Sequence, residues 1–458
     1  MSVKIAMIGT GYVGLVTGAC FAELGHDVIC VDTDQSKIDM IAAGKLPIYE
    51  PGLDELVGRN VEHGRLRFST SARDSIGDRQ AVFIAVGTPS EKDTGRADLR
   101  YVFSAATDVA KAIGGFTVVI TKSTVPVGTN HKVHNKILEY LADPSRFAVA
   151  SNPEFLREGA AIRDFMEPDR IVVGCEDERA LDVMKRIYAP LTSREVPFVA
   201  TNIETAEMIK YAANAFLAIK VSFINEVADL CEVIGAEVRD VATGIGLDHR
   251  IGASFLRTGP GWGGSCFPKD TRALLMTARD VGVPSRIVES AIEANDRRKE
   301  SMVERVRLLC NGDLQGKKIG VLGVTFKGQT DDMRESPSLD ILPRLVGLGA
   351  KVVAFDPSDP REAPILLPDV TMVPSAVEAA AGADVLVVLT DWMSFKALDL
   401  TPIASAMNRP AMLDLRNLFD REKAAAAGFE TYLSLGSAGR PGDDLRDARA
   451  ARVVSVVR

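Results

Sequence analysis

The sequence predicts an α/β protein in which two parallel-sheet domains are joined by a helical domain with one long central helix. Three observations lead to this fold class. Strand and helix patterns alternate over the first 200 residues, a long helical pattern follows, and a second α/β alternation begins at Lys317. With 458 residues, the chain also exceeds what one hydrophobic core usually supports, so several domains are expected.

The N-terminal region, residues 1–200, has the pattern of a doubly wound sheet. Residues 3–8 form an apolar run typical of a buried strand, residues 14–24 follow as a helix, and residues 28–32 form the next strand. Further strands are predicted at 81–86, 117–120, 147–150 and 170–174. Because strands that alternate with helices usually pair in parallel, a parallel sheet with helices on both faces is expected.

The middle of the chain changes to helical periodicity. Residues 204–235 predict a single helix on the order of 45 Å long, and residues 201–310 predict a helical domain that also forms a dimer interface. Residues 317–435 return to the α/β pattern, and residues 436–458 predict a disordered tail. The elements predicted in the second α/β region are strands at 318–323, 351–356, 384–389 and 411–414 and a helix at 337–348.

Composition excludes several classes of function. The net charge is −8 with both signs interspersed, which argues against binding to nucleic acid or an anionic membrane surface. Charged residues interrupt every long apolar stretch, and the N-terminus lacks a signal-peptide pattern, so a cytoplasmic protein is expected. The six cysteines form no C-x-x-C pair, which argues against a zinc site or a disulfide framework.

A glycine motif follows the first predicted strand. The residues from Gly9 to Gly14 match G-x-G-x-x-G at the start of a helix, where glycines permit a tight turn against a pyrophosphate. Asp32 ends the second strand, where a carboxylate accepts hydrogen bonds from a ribose diol and favours NAD over NADP; Lys37 could weaken that preference. The alternatives are a turn that merely needs glycine and an ordinary acid at a strand end.

Cys266 differs from the other five cysteines because it lies in a glycine-rich loop, residues 261–268, just before a predicted helix. The positive end of that helix is expected to lower the pKa of the thiol, which is the condition for a reactive thiolate. Pro268 suits the first turn of the helix. The alternative is a buried structural cysteine.

The loop and several other segments resemble the UDP-glucose/GDP-mannose dehydrogenase family. The segments that carry the resemblance, in the family's order, are Lys122–Thr129, Ser151–Gly159, Asp248–Gly252, Gly263–Asp270, Phe326–Lys327 and Arg334–Ser336. They extend the resemblance over residues 1 to about 435. The resemblance implies that a CH₂OH group of UDP-glucose is oxidised to a carboxylate with two NAD, through a thiohemiacetal and a thioester on Cys266.

The resemblance also implies roles for residues outside the loop. Lys210 and Asn214, at positions i and i+4 of the long helix, would stabilise the oxygen that develops negative charge. Glu154 and Asp270, with Thr124 nearby, resemble the acid–base and water-positioning residues. The alternatives are a solvated lysine for Lys210 and helix caps for the two carboxylates.

The implied ligand contacts form two sets. For NAD they are Gly9, Gly11, Tyr12, Val13, Gly14, Asp32, Lys37, Thr88, Thr124, Glu158 and Arg334. For the nucleotide-sugar they are Glu154, Phe155, Leu156, Lys210, Asn214, Arg250, Phe255, Arg257, Gly263, Lys327 and Arg416. Arg250 would reach across from the other subunit of a homodimer.

Other functions remain open at this point. GDP-mannose or a UDP-N-acetylhexosamine could replace UDP-glucose as substrate. A two-electron β-hydroxyacid dehydrogenase would share the fold and the lysine–asparagine pair but would not need the thiol, and a catalytically silent NAD sensor would not need the site residues. No metal is expected, since His131 and His134 read as a solvated pair on a helix without a third ligand.

Overall fold

The computed structural model describes residues 2–91, 94–141 and 143–437. The chain divides into two compact units. Of the described residues, the first unit contains those up to Ala213 together with Arg272–Val283, and the second contains Asn214–Thr271 and those from Pro284 onwards. The domain boundaries predicted from the sequence stay predictions. The predicted tail lies outside the described residues from residue 438 onwards.

The first unit is built on a sheet whose strands alternate with helices. The strands are Lys4–Ile8 (β1), Asp27–Val31 (β2), Leu66–Ser69 (β3), Ala81–Ile84 (β4), Thr117–Thr121 (β5), Phe147–Ser151 (β6), Ile171–Cys175 (β7) and Phe198–Thr201 (β8). The helices are Tyr12–Glu23 (α1), Gln35–Ala42 (α2), Leu53–Glu62 (α3), Ala72–Ile76 (α4), Arg100–Ala112 (α5), Thr129–Leu138 (α6), Ala161–Met166 (α7) and Glu178–Thr192 (α8), with a 3₁₀ turn at Pro144–Arg146.

Strand order places a crevice at one edge of this sheet. The order is β3-β2-β1-β4-β5-β6-β7-β8, and the first six strands follow the doubly wound order 3-2-1-4-5-6. Strands β4, β5 and β6 are buried along their whole length, as expected when helices cover both faces of a sheet. The chain order reverses between β1 and β4, where the carboxyl ends of the strands leave a crevice.

One pairing differs from the all-parallel expectation. Strand β7 runs antiparallel to β6, while β8 pairs in parallel with β7. The connection between β6 and β7 contains one short helix, the six-residue α7. Strand β7 therefore begins near the carboxyl end of β6. The loop that follows β6, residues 152–160, therefore begins at the edge where dinucleotides bind.

The long helix predicted over residues 204–235 is confirmed as Ile203–Ile234 (α9). It is followed by Val238–Gly246 (α10), Phe267–Asp280 (α11) and Arg286–Leu309 (α12). Among the described residues, no helix has both the length and the apolar character that crossing a membrane requires.

The second unit contains a sheet with the same strand order as the first six strands of the other unit. Its strands are Lys318–Leu322 (β9), Lys351–Phe355 (β10), Thr371–Met372 (β11), Val385–Val388 (β12), Ala411–Asp414 (β13) and Thr431–Ser434 (β14), and its helices are Pro337–Gly347 (α13), Ala363–Leu366 (α14), Ala376–Ala380 (α15), Met393–Lys396 (α16), Leu400–Ala406 (α17) and Arg421–Ala426 (α18). The order β11-β10-β9-β12-β13-β14 is parallel throughout. The predicted fold class, two Rossmann-like sheets and a long central helix, is confirmed.

Candidate active site

The turn after β1 has no room for side chains at two of its glycines. Gly9 has a φ of 101°, and a Cβ there would lie 2.7 Å from the carbonyl oxygen of Ala85. A Cβ on Gly14 would lie 2.0 Å from the carbonyl oxygen of Gly9, so α1 packs directly on the turn. At Gly11 a Cβ would meet no atom within 4 Å, which leaves the backbone open to a ligand. The turn thus fits a dinucleotide pyrophosphate at a helix N-terminus.

Asp32 follows β2 and is bonded to this turn. Its Oδ2 accepts hydrogen bonds from the backbone nitrogen and the hydroxyl of Thr10, at 2.8 and 2.7 Å, and the Lys37 Nζ lies 3.6 Å away. Although burial alone would raise the pKa of the Asp32 carboxyl, the Thr10 donors lower it below the usual value. Asp32 is therefore a carboxylate next to the glycine turn, and its predicted contact with a ribose diol stays a prediction.

Replacing Asp32 with Ser is expected to raise the ratio of NADP to NAD activity by at least about tenfold, because a negative charge that repels a 2′-phosphate is removed. The kcat/KM for each dinucleotide measures the ratio. Asp34→Ser serves as control, since its exposed side chain bonds to Ser36 at the start of α2. An unchanged ratio in Asp32→Ser would contradict the assignment of Asp32 to the ribose.

Two threonines meet at the carboxyl edge of the sheet. The hydroxyl of Thr88 donates to the carbonyl oxygen of Thr124 at 3.0 Å, and both residues follow neighbouring strands, β4 and β5. The hydroxyl of Tyr12, at the start of α1, donates to Glu50, which also accepts from the backbone nitrogen of Gly159. The glycine turn is thereby linked to the loop that carries Glu154 and Glu158.

Glu154 and Lys210 form a buried ion pair. Their Oε1 and Nζ atoms are 3.0 Å apart, and their side chains are 6% and 4% exposed. Although burial would raise the pKa of the Glu154 carboxyl, the Lys210 ammonium and the Leu156 amide lower it below the usual value. The solvated alternative for Lys210 is wrong. Glu154 accepts from Leu156 within its own loop, so the helix-cap alternative is also wrong.

Aromatic and cationic groups surround this pair. The guanidinium of Arg170 lies 3.6 Å from the ring centroid of Phe155, and the Lys210 Nζ lies 5.3 Å from the same ring. Lys122, buried at the end of β5, donates to Asn152 at 3.0 Å. The sequence analysis assigned no role to Lys122 or Asn152. The sequence feature that could have indicated a role for Lys122 is its position directly after a strand of apolar and threonine residues.

Cys266 lies in the second unit, immediately before α11. Its side chain is partly exposed, its Sγ is 3.5 Å from the Ser265 hydroxyl, and its carbonyl oxygen accepts from the backbone nitrogen of Asp270. The thiol therefore lies at the N-terminus of a 14-residue helix, as predicted, and the alternative of a buried structural cysteine is wrong. The helix dipole at this end favours the thiolate.

The loop before Cys266 is held on both sides. The backbone nitrogen of Trp262 donates to Asn295 at 2.7 Å, and the Asn295 amide donates back to the Trp262 carbonyl oxygen at 3.0 Å. The Trp262 indole donates to Ser222 on α9 at 2.9 Å. These bonds tie the loop to α9 and α12, so the backbone that presents the thiol is fixed.

Asp270 and Asn214 are also brought together. The Asn214 amide donates to Asp270 Oδ2 at 2.6 Å, and the Lys269 ammonium donates to Oδ1 at 2.6 Å. Asp270 is fully buried. It lies in the first turn of α11, yet its side chain bonds to these two side chains instead of capping the helix. The Asp270 carboxylate, four residues after Cys266, thus binds an amide that comes from α9.

Replacing Gly263 with Ala is expected to destabilise the protein by about 3 kcal/mol and to lower activity, because the added methyl would lie 2.0 Å from the backbone oxygen of Glu335. Neither backbone can move without shifting the Cys266 loop. Denaturant unfolding and kcat measure the two effects. Gly244→Ala within α10 is the control, since nothing lies within 4 Å of its added methyl, and it should be neutral or slightly stabilising. Equal stability of the two variants would contradict this account.

Two of the predicted nucleotide contacts in the second unit, Lys327 and Arg416, lie close to Phe326. Arg416 donates to the backbone oxygens of Leu389 and Phe326, both at 2.8 Å, and burial lowers the pKa of its guanidinium. A Cβ on Gly264 would lie 2.6 Å from the ring of Phe326. The Lys327 ammonium lies 5.3 Å from the centroid of the same ring. Lys327 and Arg416 thus surround Phe326 next to the glycine loop. The sequence analysis did not name Phe326 as a contact.

The remaining predicted contacts lie near these elements or on the surface. Phe255 has a left-handed φ of 64°, and its ring centroid is 5.9 Å from that of Phe267. Arg257 is exposed, and its charge helps to lower the pKa of Asp391. Arg250 is exposed and bonded to Asp248, and Arg334 bonds to Asp332. The roles predicted for these residues stay predictions.

The two histidines each contact a residue of another element, although the side chain of His131 is also 42% exposed. His131 bonds to Glu204 at 2.7 Å, and the ring of His134 lies 5.0 Å from that of Phe147. Within the described part of the chain, Glu176 joins His131 and Glu204 in a group whose ligand atoms lie within 4.8 Å of one another. Helix spacing alone could not reveal these carboxylates, because they come from other elements. The absence of a metal stays a prediction.

Three family models match the chain in consecutive order. They describe the NAD binding domain of the UDP-glucose/GDP-mannose dehydrogenase family over residues 3–192, its central domain over 204–297 and its UDP binding domain over 320–421. The chain belongs to the UDP-glucose/GDP-mannose dehydrogenase family. The resemblance predicted from the sequence motifs is confirmed, as is NAD as cofactor, and the UDP binding domain supports a UDP-sugar as substrate.

Individual members of the UDP-glucose/GDP-mannose dehydrogenase family align over nearly the whole chain. UDP-glucose 6-dehydrogenase of Rhizobium meliloti (strain 1021) is 52% identical over 435 residues, covering 94% of this chain and 99% of that protein. UDP-glucose 6-dehydrogenase TuaD of Bacillus subtilis (strain 168) is 46% identical, with 94% and 93% covered. The structure of a UDP-glucose dehydrogenase from Pyrobaculum islandicum is similar with a TM-score of 0.88 and 37% identity, covering 96% and 98% of the two chains.

Proposed function

We propose that the chain is a UDP-glucose 6-dehydrogenase, which converts UDP-glucose, two NAD⁺ and water to UDP-glucuronate and two NADH. The observation that carries this proposal is the partly exposed Cys266 thiol at the N-terminus of α11. An alcohol dehydrogenase that stops at the aldehyde needs no covalent anchor. A four-electron oxidation does, because the aldehyde must be held between the two oxidations. The names of the similar proteins support the same reaction.

The side chains can carry the steps as follows. The Glu154–Lys210 pair takes the proton of the substrate hydroxyl as the carbon loses a hydride. The Cys266 sulfur then adds to the carbon of the resulting aldehyde, and the oxygen gains a proton to form a thiohemiacetal. A second oxidation leaves a thioester, and water releases the carboxylate and the Cys266 thiol. The glycine turn from Gly9 to Gly14 would hold NAD, whose chemistry would be to accept the hydride in each of the two oxidations. Asn214 and Lys210 stabilise the oxygen on the reacting carbon, and Asp270 orients the hydrolytic water.

Counting NADH per sugar tests the reaction. With limiting UDP-glucose and excess NAD, two NADH per UDP-glucose are expected, measured by absorbance after the reaction is complete. One NADH would instead support a two-electron dehydrogenase, and none would support a sensor. GDP-mannose and UDP-N-acetylglucosamine are the matched comparison substrates. A higher kcat/KM with either of them than with UDP-glucose would identify that nucleotide-sugar as the substrate.

We also propose that the chain forms a homodimer through α9. Phe216, Phe223 and Leu230, spaced seven residues apart on this helix, are 62%, 50% and 56% exposed, and Ile234 is 64% exposed. An exposed apolar stripe on a long helix is typical of a helix–helix interface. In such a dimer Arg250 would reach the partner's substrate. Sedimentation at micromolar concentration should give twice the monomer mass, and a monomer would contradict the interface. The cytoplasmic location also stays a prediction.

A further inference from the structure

Lys122 is a buried amine that the proposed reaction does not use. Its side chain follows β5 and is 4% exposed. The Nζ donates to Asn152 Oδ1 at 3.0 Å and to the Tyr188 hydroxyl at 3.4 Å, and the Tyr188 hydroxyl donates to the same Asn152 oxygen at 2.6 Å. Burial raises the pKa of the Tyr188 phenol, so both partners of Lys122 are neutral.

The charges that act on Lys122 belong to the Glu154–Lys210 pair. Glu154 comes from the loop after β6 and Lys210 from α9, while Tyr188 belongs to α8. Burial lowers the pKa of Lys122 to about 7; the Glu154 carboxylate opposes this shift, and the Lys210 ammonium reinforces it. Two amines and one carboxylate are thus buried together, and burying a net charge is costly.

We propose that Lys122 is a positioning residue that sets the net charge around the Glu154–Lys210 pair and thereby the pH below which the pair stops taking the substrate proton. When Lys122 is neutral, the Glu154 carboxylate and the Lys210 ammonium balance. The partly exposed Arg170 guanidinium, which also interacts with Glu154, adds a positive charge that stays constant over this pH range. When Lys122 is protonated, the group carries a net positive charge, and further proton uptake by the pair becomes less favourable. This inference rests on the proposed function, because the proposed reaction is what assigns proton uptake to the Glu154–Lys210 pair.

The pH dependence of kcat/KM tests the charge of Lys122. The kcat/KM of the wild type should decrease as the pH is lowered, with a midpoint near pH 7, which is the lowered pKa of Lys122. Lys122→Met and Lys122→Gln both remove the charge, and Gln keeps a donor for Asn152. Both should move the midpoint to lower pH by about one unit or more. Lys122→Arg keeps the charge at all pH values and should lower kcat/KM at pH 8 by about five- to tenfold.

Lys132→Met is the matched control, because Lys132 is an exposed lysine on α6. It should keep the wild-type midpoint. An unmoved midpoint in both charge-removing variants would overturn the proposal. A shift in only one of them would point to a lost hydrogen bond or altered packing rather than to the charge, and would overturn it as well.

Stability against pH provides a readout that needs no substrate. An unfolded lysine has a pKa of about 10.4, so between pH 7 and about 10 the unfolded chain binds a proton that folded Lys122 does not. The wild type should therefore gain stability relative to Lys122→Met as the pH rises through this window, measured by urea unfolding. A constant difference would overturn the proposal. The NADH count tests the proposed function separately, since a failed count leaves this stability difference unaffected.

Discussion

Replacing Cys266 with Ser is expected to lower the steady-state rate of NADH formation by about 10³-fold or more. A hydroxyl ionises far less readily than a thiol, so the serine remains protonated at neutral pH. The serine is thus a much weaker nucleophile toward the aldehyde. Any ester it forms also hydrolyses more slowly than the thioester, because an alkoxide is a poorer leaving group than a thiolate.

The same variant should reveal the covalent intermediate. If an ester forms, the chain stalls after one turnover, and intact-protein mass spectrometry after mixing with UDP-glucose and NAD should find the UDP-glucuronyl mass added. The peptide that contains residue 266 should carry it. In the wild type the corresponding thioester should be short-lived. Absence of the adduct together with a low rate would place the block at the first addition.

Cys175→Ser is the control for this experiment. Cys175 ends β7 and is half-buried, and burial raises the pKa of its thiol. Cys175→Ser therefore makes the same change from thiol to hydroxyl as Cys266→Ser, but at a cysteine that is unsuited to nucleophilic attack. It should retain turnover within about twofold of the wild type. Unimpaired steady-state turnover in Cys266→Ser would exclude thioester chemistry for this chain.

The fold was predictable because ten of the fourteen described strands are short apolar runs that alternate with helix patterns. The Thr117–Thr121 and Val385–Val388 strands are buried along their whole length, and such runs do not depend on their neighbours for detection. Phe198–Thr201 was missed because two of its four residues are exposed, which weakens the pattern. The reversed direction of Ile171–Cys175 was not predictable, since periodicity does not encode strand direction.

The site was predictable only in part, and for a different reason. Motif resemblance indicated which side chains matter, and helix spacing placed Lys210 and Asn214 one turn apart. The partners of those side chains come from distant parts of the chain: Lys210 pairs with Glu154, and Asn214 bonds to Asp270. Such contacts depend on how elements pack, which spacing does not describe. No role was assigned to Lys122 for the same reason.

Replacing Lys210 with Met is expected to have two separable effects. It should lower kcat/KM by about 10²- to 10³-fold, because the oxygen on the reacting carbon loses a cationic donor. It should also lower the free energy of unfolding by about 3–5 kcal/mol, because the Glu154 carboxylate is left buried without its ion-pair partner. Steady-state kinetics and urea unfolding measure the two quantities on the same preparation.

A double variant separates chemistry from stability. In Lys210→Met combined with Glu154→Gln, neither buried charge remains, so most of the lost stability should return. The rate should not return, since Gln cannot take a proton and Met cannot stabilise an oxyanion. Recovery of both quantities would mean that neither Glu154 nor Lys210 takes part in the reaction. Recovery of stability alone would assign the Glu154–Lys210 pair to the reaction, because a purely structural pair would make the two measurements move together.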